Sequence, residues 1–212
     1  MLVHFTLIKV LPEKVQEAAG ILAGSKLVGY FLKAHGLRHG SLSESLDEPG
    51  KLLSLSMWDA PADAQAVFAD PNYAALVGEL RGLMVAAPER LGYNLLHKQL
   101  VRRLEAGKDL FVHNTIVTVA PENTPRLISV LYSDQVVAQL ASIGGFLMSY
   151  AFDALDEPGR IVSMSWWSSA AEAQSTFASP VYAGLLGDLR PYFIKAPERQ
   201  SYRLLAIVRH DE

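Results

Sequence analysis

Three kinds of side chain in this sequence could act on a small molecule: two histidines, His4 and His113; two tryptophans, Trp58 and Trp167; and four serines, Ser54, Ser56, Ser163 and Ser165. They form matched pairs 109 positions apart. A histidine, with an ordinary pKa near 6.5, can take a proton from a phenol at neutral pH. A tryptophan gives a planar ligand a flat apolar wall. Serines at positions where a core would carry valine or leucine leave volume for that ligand. Thr6 and Thr115 follow the histidines by two residues and so share a strand face with them. A plainer account also stands. The histidines would be hydrogen-bonded at a sheet margin, the tryptophans would be core, and the serines would make room for bulky helix residues such as Phe68 and Tyr73. No metal site is expected. His35 and His39 lie four apart, but Gly36 between them should end a helix, and there is no cysteine.

The remaining composition narrows the field. In 212 residues, 50% are hydrophobic and 19% charged, which suits packed domains rather than disorder. The net charge is −3 and the only basic cluster is Lys98–Arg103, so no nucleic-acid partner is expected. The N-terminal stretch lacks a basic region and cleavage site, and no apolar run approaches the length of a membrane span, so the expected location is cytoplasmic, with no membrane partner. There is no glycine-rich phosphate loop and no Gly-x-Ser-x-Gly elbow, and no cofactor is expected.

The elements that must position these residues come as a duplication. Aligning residue n with n+109 over Val3–Leu96 gives 36 identities in 94 positions without a gap, 27 of them from Leu46 onward. A period this long is a repeated domain rather than a solenoid. The expected domains are residues 1–104 and 110–212, with a link at 105–109. Each repeat reads as a strand (Val3–Val10), a helix from Pro12 to about His35, a strand (Leu37–Ser45), a DEPG turn, and a strand (Lys51–Trp58). A helical stretch broken near Pro71 follows, then a strand over Arg90–Leu104, longer than its partner in repeat two and long enough to reach that repeat. Gly20, Gly24 and Gly29 weaken the first helix at about 1 kcal/mol each relative to alanine.

The order β-α-β-β-α-β is ferredoxin-like. Along Lys51–Trp58, Ser54, Ser56 and Trp58 share one face while Leu53, Leu55 and Met57 share the other. The aliphatic face needs cover, and packing the two repeats sheet to sheet would supply it. The expected fold is α+β, two tandem ferredoxin-like repeats forming a pseudo-dimeric α/β barrel within one chain, with further homodimerisation left open. On the second strand, Leu37, His39, Ser41 and Ser43 share a face, matched by Phe146, Met148, Tyr150 and Phe152. If that face lines the cleft, either His39 marks a polar, roomier site in repeat one, or Tyr150 belongs to an aromatic cage in repeat two.

Gly145-Phe146, LDEPGRIVSMSWW and Ala178-Ser179-Pro180, with Gly36-Leu37, LDEPGKLLSLSMW and Ala69-Asp70-Pro71, resemble the antibiotic biosynthesis monooxygenase (ABM) family of dimeric α/β barrels. The resemblance spans nearly the whole chain, twice. It implies a ligand cleft between helices and sheet, lined by the tryptophan matching Trp58 and Trp167. Members that oxidise polycyclic phenols without a cofactor carry an asparagine, a tyrosine and a histidine where this chain has Ser54 and Ser163, Ala64 and Ala173, and Ser43 and Phe152. Haem-degrading members carry an axial histidine at the position of Val77 and Leu186. The resulting expectation is a binder or cofactor-independent monooxygenase of a small, polyketide-like aromatic molecule. His4 or His113 would be the base, and Trp58, Trp167 and the four serines would bind. The alternatives are a non-catalytic ligand-binding or stress-related barrel and a haem-binding protein.

Overall fold

A computed structural model of the chain describes residues 1–102, 110–142 and 144–209. The expected link at 105–109 lies outside the described residues. Repeat one contains β1 (Leu2–Lys9), α1 (Val15–Leu22), α2 (Ser25–Phe31), β2 (Leu37–Ser45), β3 (Lys51–Trp58), α3 (Pro61–Ala69), α4 (Pro71–Gly78) and β4 (Glu89–Leu100). Repeat two contains β5 (Phe111–Thr118), α5 (Thr124–Leu131), α6 (Asp134–Ser142), β6 (Phe146–Ala154), β7 (Arg160–Trp167), α7 (Ala170–Phe177), α8 (Pro180–Leu189) and β8 (Glu198–Arg209). The strands close into one barrel in the order β1-β3-β2-β8-β5-β7-β6-β4. The fold is therefore α+β, a tandem ferredoxin-like pair forming an α/β barrel.

The chain folds as two compact units: a first, Met1–Tyr93 with the segment from Tyr202, and a second, Asn94–Ser201. The expected reach of repeat one's fourth strand is seen in β4, which neighbours β6 of repeat two and from Asn94 onward belongs to the second unit. The last strand of repeat two does the converse: Ser45 to His39 on β2 pair with Tyr202 to Arg209 on β8, which completes the first unit. The expectation that repeat one's fourth strand is the longer is not met, since β4 and β8 each have 12 residues.

The β2–β3 hairpin turns on glycine chemistry. Gly50 has φ +83°, a conformation that any Cβ opposes, and an added Cβ would strike the Val10 carbonyl oxygen. The Val10 N–H donates to the Gly50 carbonyl at 2.8 Å, tying the turn to the end of β1. Gly159 (φ +87°) and Val119 repeat the arrangement in the second unit. The Ser45 hydroxyl accepts the backbone N–H groups of Asp47 and Glu48, at 3.3 and 3.0 Å.

The single helix expected from Pro12 to about His35 is two helices, broken at Ala23-Gly24. Glycine content is not the cause. Repeat two breaks at the same place, between α5 and α6, where Ser133 stands instead of Gly24 and its hydroxyl accepts the Val136 N–H at 3.4 Å. The break before α4 is capped by Asp70, which accepts the Asn72 N–H at 2.8 Å.

In the first unit, one apolar cluster packs Val15, Ala18 and Leu83 against Ile8, Leu42 and Leu52. A second packs Ala64 and Val67 against Leu37, Trp58 and Val208. Leu53, Leu55 and Met57, on the face of β3 turned from the helices, are 1–3% exposed.

The glycine positions separate cleanly in their expected effects. Gly50→Ala should lower unfolding stability by about 1–3 kcal/mol, because it forces a left-handed residue into a crowded turn. Gly20→Ala, in α1 with nothing within 4 Å of the added methyl, should raise it by about 0.4–1 kcal/mol. Urea midpoints of the two variants against the parent chain check both signs.

Candidate functional site

The register of β1 on β3 places Leu2 opposite Trp58, His4 opposite Ser56 and Thr6 opposite Ser54. Directly paired residues share a face, so these six side chains all point to the helix side. Between that face and the helices of the first unit lies a cavity of about 300 Å³. Thr6, Ser54 and Ser56 contribute to its floor, and Phe31, Phe68, Tyr73 and Val77 to its helical wall. Ala206 and Val208 of β8 line it from the edge of β2, beside Gly40. Arg81 and Arg90 also line it.

The expected site residues are only partly brought together here. Ser54 and Ser56 line the cavity, whereas Trp58, fully buried, does not. Trp58 packs behind the lining, with ring centroids 6.0 Å from Phe68 and 6.5 Å from Phe31. Its indole N–H donates to Ser56 Oγ at 2.9 Å. The serine thus satisfies a buried donor as well as leaving space. Ala64, where the resemblance implied a tyrosine, is buried in the same cluster as Trp58. His4 sits on the correct face but behind Phe68, whose ring meets it edge-on at 5.2 Å. Its Nδ1 is buried without a hydrogen-bond partner. Burial first, then the charge of Arg90, holds its pKa below the ordinary value, so the imidazole is neutral at pH 7. His39 pairs with Met57 across β2–β3, after a register shift that follows Leu37, and so lies on the opposite face. That shift turns Gly40 and Leu42, rather than His39 and Ser41, toward Ser56 and Ser54.

The second unit holds the matching cleft, but its cavity is only about 70 Å³. His113, Ser163, Ser165 and Trp167 all line it, with the Trp167 indole donating to Ser165 Oγ at 2.9 Å. Phe177 packs on His113 at 4.3 Å. Tyr150 pairs with Met164 and stacks on Phe152 at 5.7 Å, on the face turned away from the cleft. Of the strand-two aromatics, Phe146 lines the cleft beside Trp167, whereas Tyr150 and Phe152 do not. Tyr132 fills it, with His97 of β4. Their rings lie 4.0 Å apart, and the Tyr132 hydroxyl is 3.4 Å from Ser163 Oγ. Burial pushes the Tyr132 phenol up to about 12, so it remains protonated. The equivalent positions in the first unit are Ala23 and Ala206. These two small-to-large differences accompany the smaller volume, together with Val77 to Leu186 and Gly40 to Ser149 in the lining itself.

Tyr73, Phe68, Arg81 and Arg90 form cavity walls; by residue type and position alone the aromatics read as helix packing, and the arginines read first as surface and turn chemistry and second as groups that reach a ligand carboxylate. The Arg90 guanidinium lies 3.7 Å over the Phe68 ring, a cation–π contact. Burial raises the Tyr73 pKa, and Arg90, by charge and hydrogen bond, pulls it back. All four residues recur at +109. The Ala23/Tyr132 difference is visible in the same comparison of repeats, but its meaning needs the position of β4 and β8. Among the described residues, no group of three His, Asp or Glu side chains could hold a metal ion, and no helix is long and apolar enough to cross a membrane.

Comparison with solved structures identifies the fold as that of ABM-type barrels. The chain is similar to a proposed monooxygenase from Fusobacterium nucleatum, with a TM-score of 0.81 and 8% identity over 98% of this chain and 94% of that one. It is similar to a proposed monooxygenase from Lactobacillus acidophilus, with a TM-score of 0.77 and 7% identity over 98% and 95% of the two chains. It is also similar to an anthrone oxidase-like protein, with a TM-score of 0.71 and 16% identity over 100% and 94%. No protein-family model and no curated protein matches the sequence.

Two outcomes follow from this geometry. Removing both plugs, Tyr132→Ala with His97→Ala, should open a second cavity and raise the binding stoichiometry of a small aromatic probe from one to two per chain, read by calorimetric titration. His4 has a folded pKa below its unfolded value of 6.5. The unfolded chain therefore binds its proton more readily, and the stabilisation is complete above pH 6.5 and lost as pH falls toward the folded pKa. Urea midpoints measured at pH 7.5 and 5.5 should drop less in His4→Asn than in the parent chain.

Proposed function

We propose that the first unit binds a small, planar, largely aromatic molecule in the cavity bounded by Ser54, Phe31, Phe68 and Tyr73. The contrast between about 300 Å³ in that unit and about 70 Å³ in the other carries this reading. A cavity at the lower end of the range for small-molecule sites, walled by three aromatic rings and floored by hydroxyls, fits a flat body with one or two polar substituents. The second unit, with the same serines, histidine and tryptophan, then serves as a filled scaffold.

Cofactor-independent oxygenation is the reaction such a site would serve, and the fold shared with proposed monooxygenases and an anthrone oxidase-like protein supports it. A bound anthrone or hydroquinone that loses a proton can pass one electron to O₂. The radical and superoxide join as a peroxide anion, which takes back the proton held by the base, and loss of water leaves the quinone of an anthrone, or loss of hydrogen peroxide that of a hydroquinone. The neutral His4 imidazole is the chain's candidate base, one ring removed from the cavity, and would need Phe68 to move aside. The Arg90 guanidinium, beside Tyr73, is placed to favour the deprotonated substrate. The shielding of His4 favours, as a second reading, a binding protein without turnover. Haem is disfavoured by Val77, which lines the cavity where the resemblance would need an axial histidine.

Calorimetric titration with an anthrone under argon, followed by oxygen uptake in air, tests both readings. One saturable site, with uptake reduced about 100-fold in His4→Ala, is the result expected of an enzyme. Saturable binding without substrate-dependent uptake leaves the non-catalytic reading. Absence of saturable binding overturns the assignment of the cavity.

A further inference from the structure

We infer that the ligand of the first-unit cavity is an anion, an aromatic body carrying an ionised acidic group of the carboxylate kind, held by Arg81 and Arg90. The inference rests on the reading of this cavity as a ligand site and adds the charge of what enters it.

The lining is electrically one-sided. It contains two guanidiniums and no aspartate or glutamate. The acids nearest in sequence, Glu79 and Glu89, are exposed and do not line the cavity, and the Glu79 carboxylate lies 3.9 Å from Lys26 Nζ. Arg81 makes no ion pair or hydrogen bond among the described residues. Arg90 has the Phe68 face beneath it and the Tyr73 hydroxyl as its polar neighbour. A guanidinium stacked on one aromatic face is held in orientation, and its in-plane N–H groups form the fork that carboxylates accept.

The apolar part of the cavity is complementary to the rest of such a molecule. Its floor and back wall are Thr6, Ser54, Ile8, Leu27 and Val28, none of them charged. A molecule with a flat hydrocarbon end and an acidic end would place the first against these residues and the second against the arginines. In the second unit the equivalent arginines, Arg190 and Arg199, do not line the small cavity, and Arg199 stands 6.0 Å from the Tyr182 ring centroid. The anion site therefore belongs to the first unit alone.

The test compares anthracene-2-carboxylate with its methyl ester, two fluorescent probes of the same shape that differ in charge. Titrations use the full chain and the folded variants Arg81→Gln, Arg90→Gln and Arg81→Lys. The acid should bind at least about 10-fold more tightly than the ester, the difference expected of charge-assisted hydrogen bonds. Each glutamine variant should lose about 5- to 10-fold for the acid and less than about 2-fold for the ester, with Arg81→Lys intermediate. Raising the salt concentration should weaken the acid only. Equal affinity of acid and ester, or equal loss of both in the glutamine variants, overturns the anion while leaving the cavity as a ligand site. Failure of both probes to bind overturns both.

Discussion

The register that holds β3 between β1 and β2 is the constraint on which the rest of each unit depends. A strand has a side-chain period of two, so a slip of one residue would exchange the faces of the whole strand. In register, Ser54, Ser56 and Trp58 meet the helices, while Leu53, Leu55 and Met57 turn away from them. Out of register, two serine hydroxyls would replace aliphatic side chains among buried neighbours, at a desolvation cost of about 1–3 kcal/mol each. The glycine turn enforces the choice at one end of the strand. Gly50 is tied through its carbonyl to the N–H of Val10, and no other residue type fits its backbone angle at the same closeness.

That register also divides labour between two serines that look equivalent in sequence. Ser56 accepts the hydrogen bond of a fully buried indole, and the same pair recurs as Ser165 and Trp167. Its presence in both units, one with a roomy cavity and one without, marks it as structural. Ser54 differs in its surroundings. Its counterpart Ser163 lies 3.4 Å from the Tyr132 hydroxyl, whereas Ser54 faces a cavity where the corresponding residue is Ala23. The contrast between the units thus comes from what stands opposite identical serines, not from the serines themselves.

Much of the fold was legible because it depends on local periodicity. β2 and β3 begin and end where alternation and the DEPG turn place them, and the ferredoxin-like order follows from the element sequence. The break between α1 and α2 was not legible, because both repeats make it with different residues, Gly24 in one and Ser133 in the other. The candidate site was legible as a face but not as a volume. The register shift after Leu37 moves His39 and Tyr150 to the other side of the sheet, and no propensity announces such an irregularity. Trp58 reads as a ligand wall by type, yet Phe68 and Phe31 stand in front of it. The arginines read as surface charges because sequence does not show that Phe68 lies under one of them.

The wall that β8 lends to the first unit has a consequence for the order of assembly. Gly40 and Leu42 are separated from Val208 and Ala206, their neighbours across the β2–β8 ladder, by more than 160 residues of chain. A nascent chain that has finished repeat one therefore carries β2 as an open edge, with its cavity unwalled on that side, until repeat two has been synthesised. Ligand affinity in such a chain would be a late-acquired property. It would report completion of the second repeat although no residue of that repeat's own cleft lines the first-unit cavity. Duplication here supplies more than a spare copy, because the plugged repeat furnishes the strand that makes the open one a container.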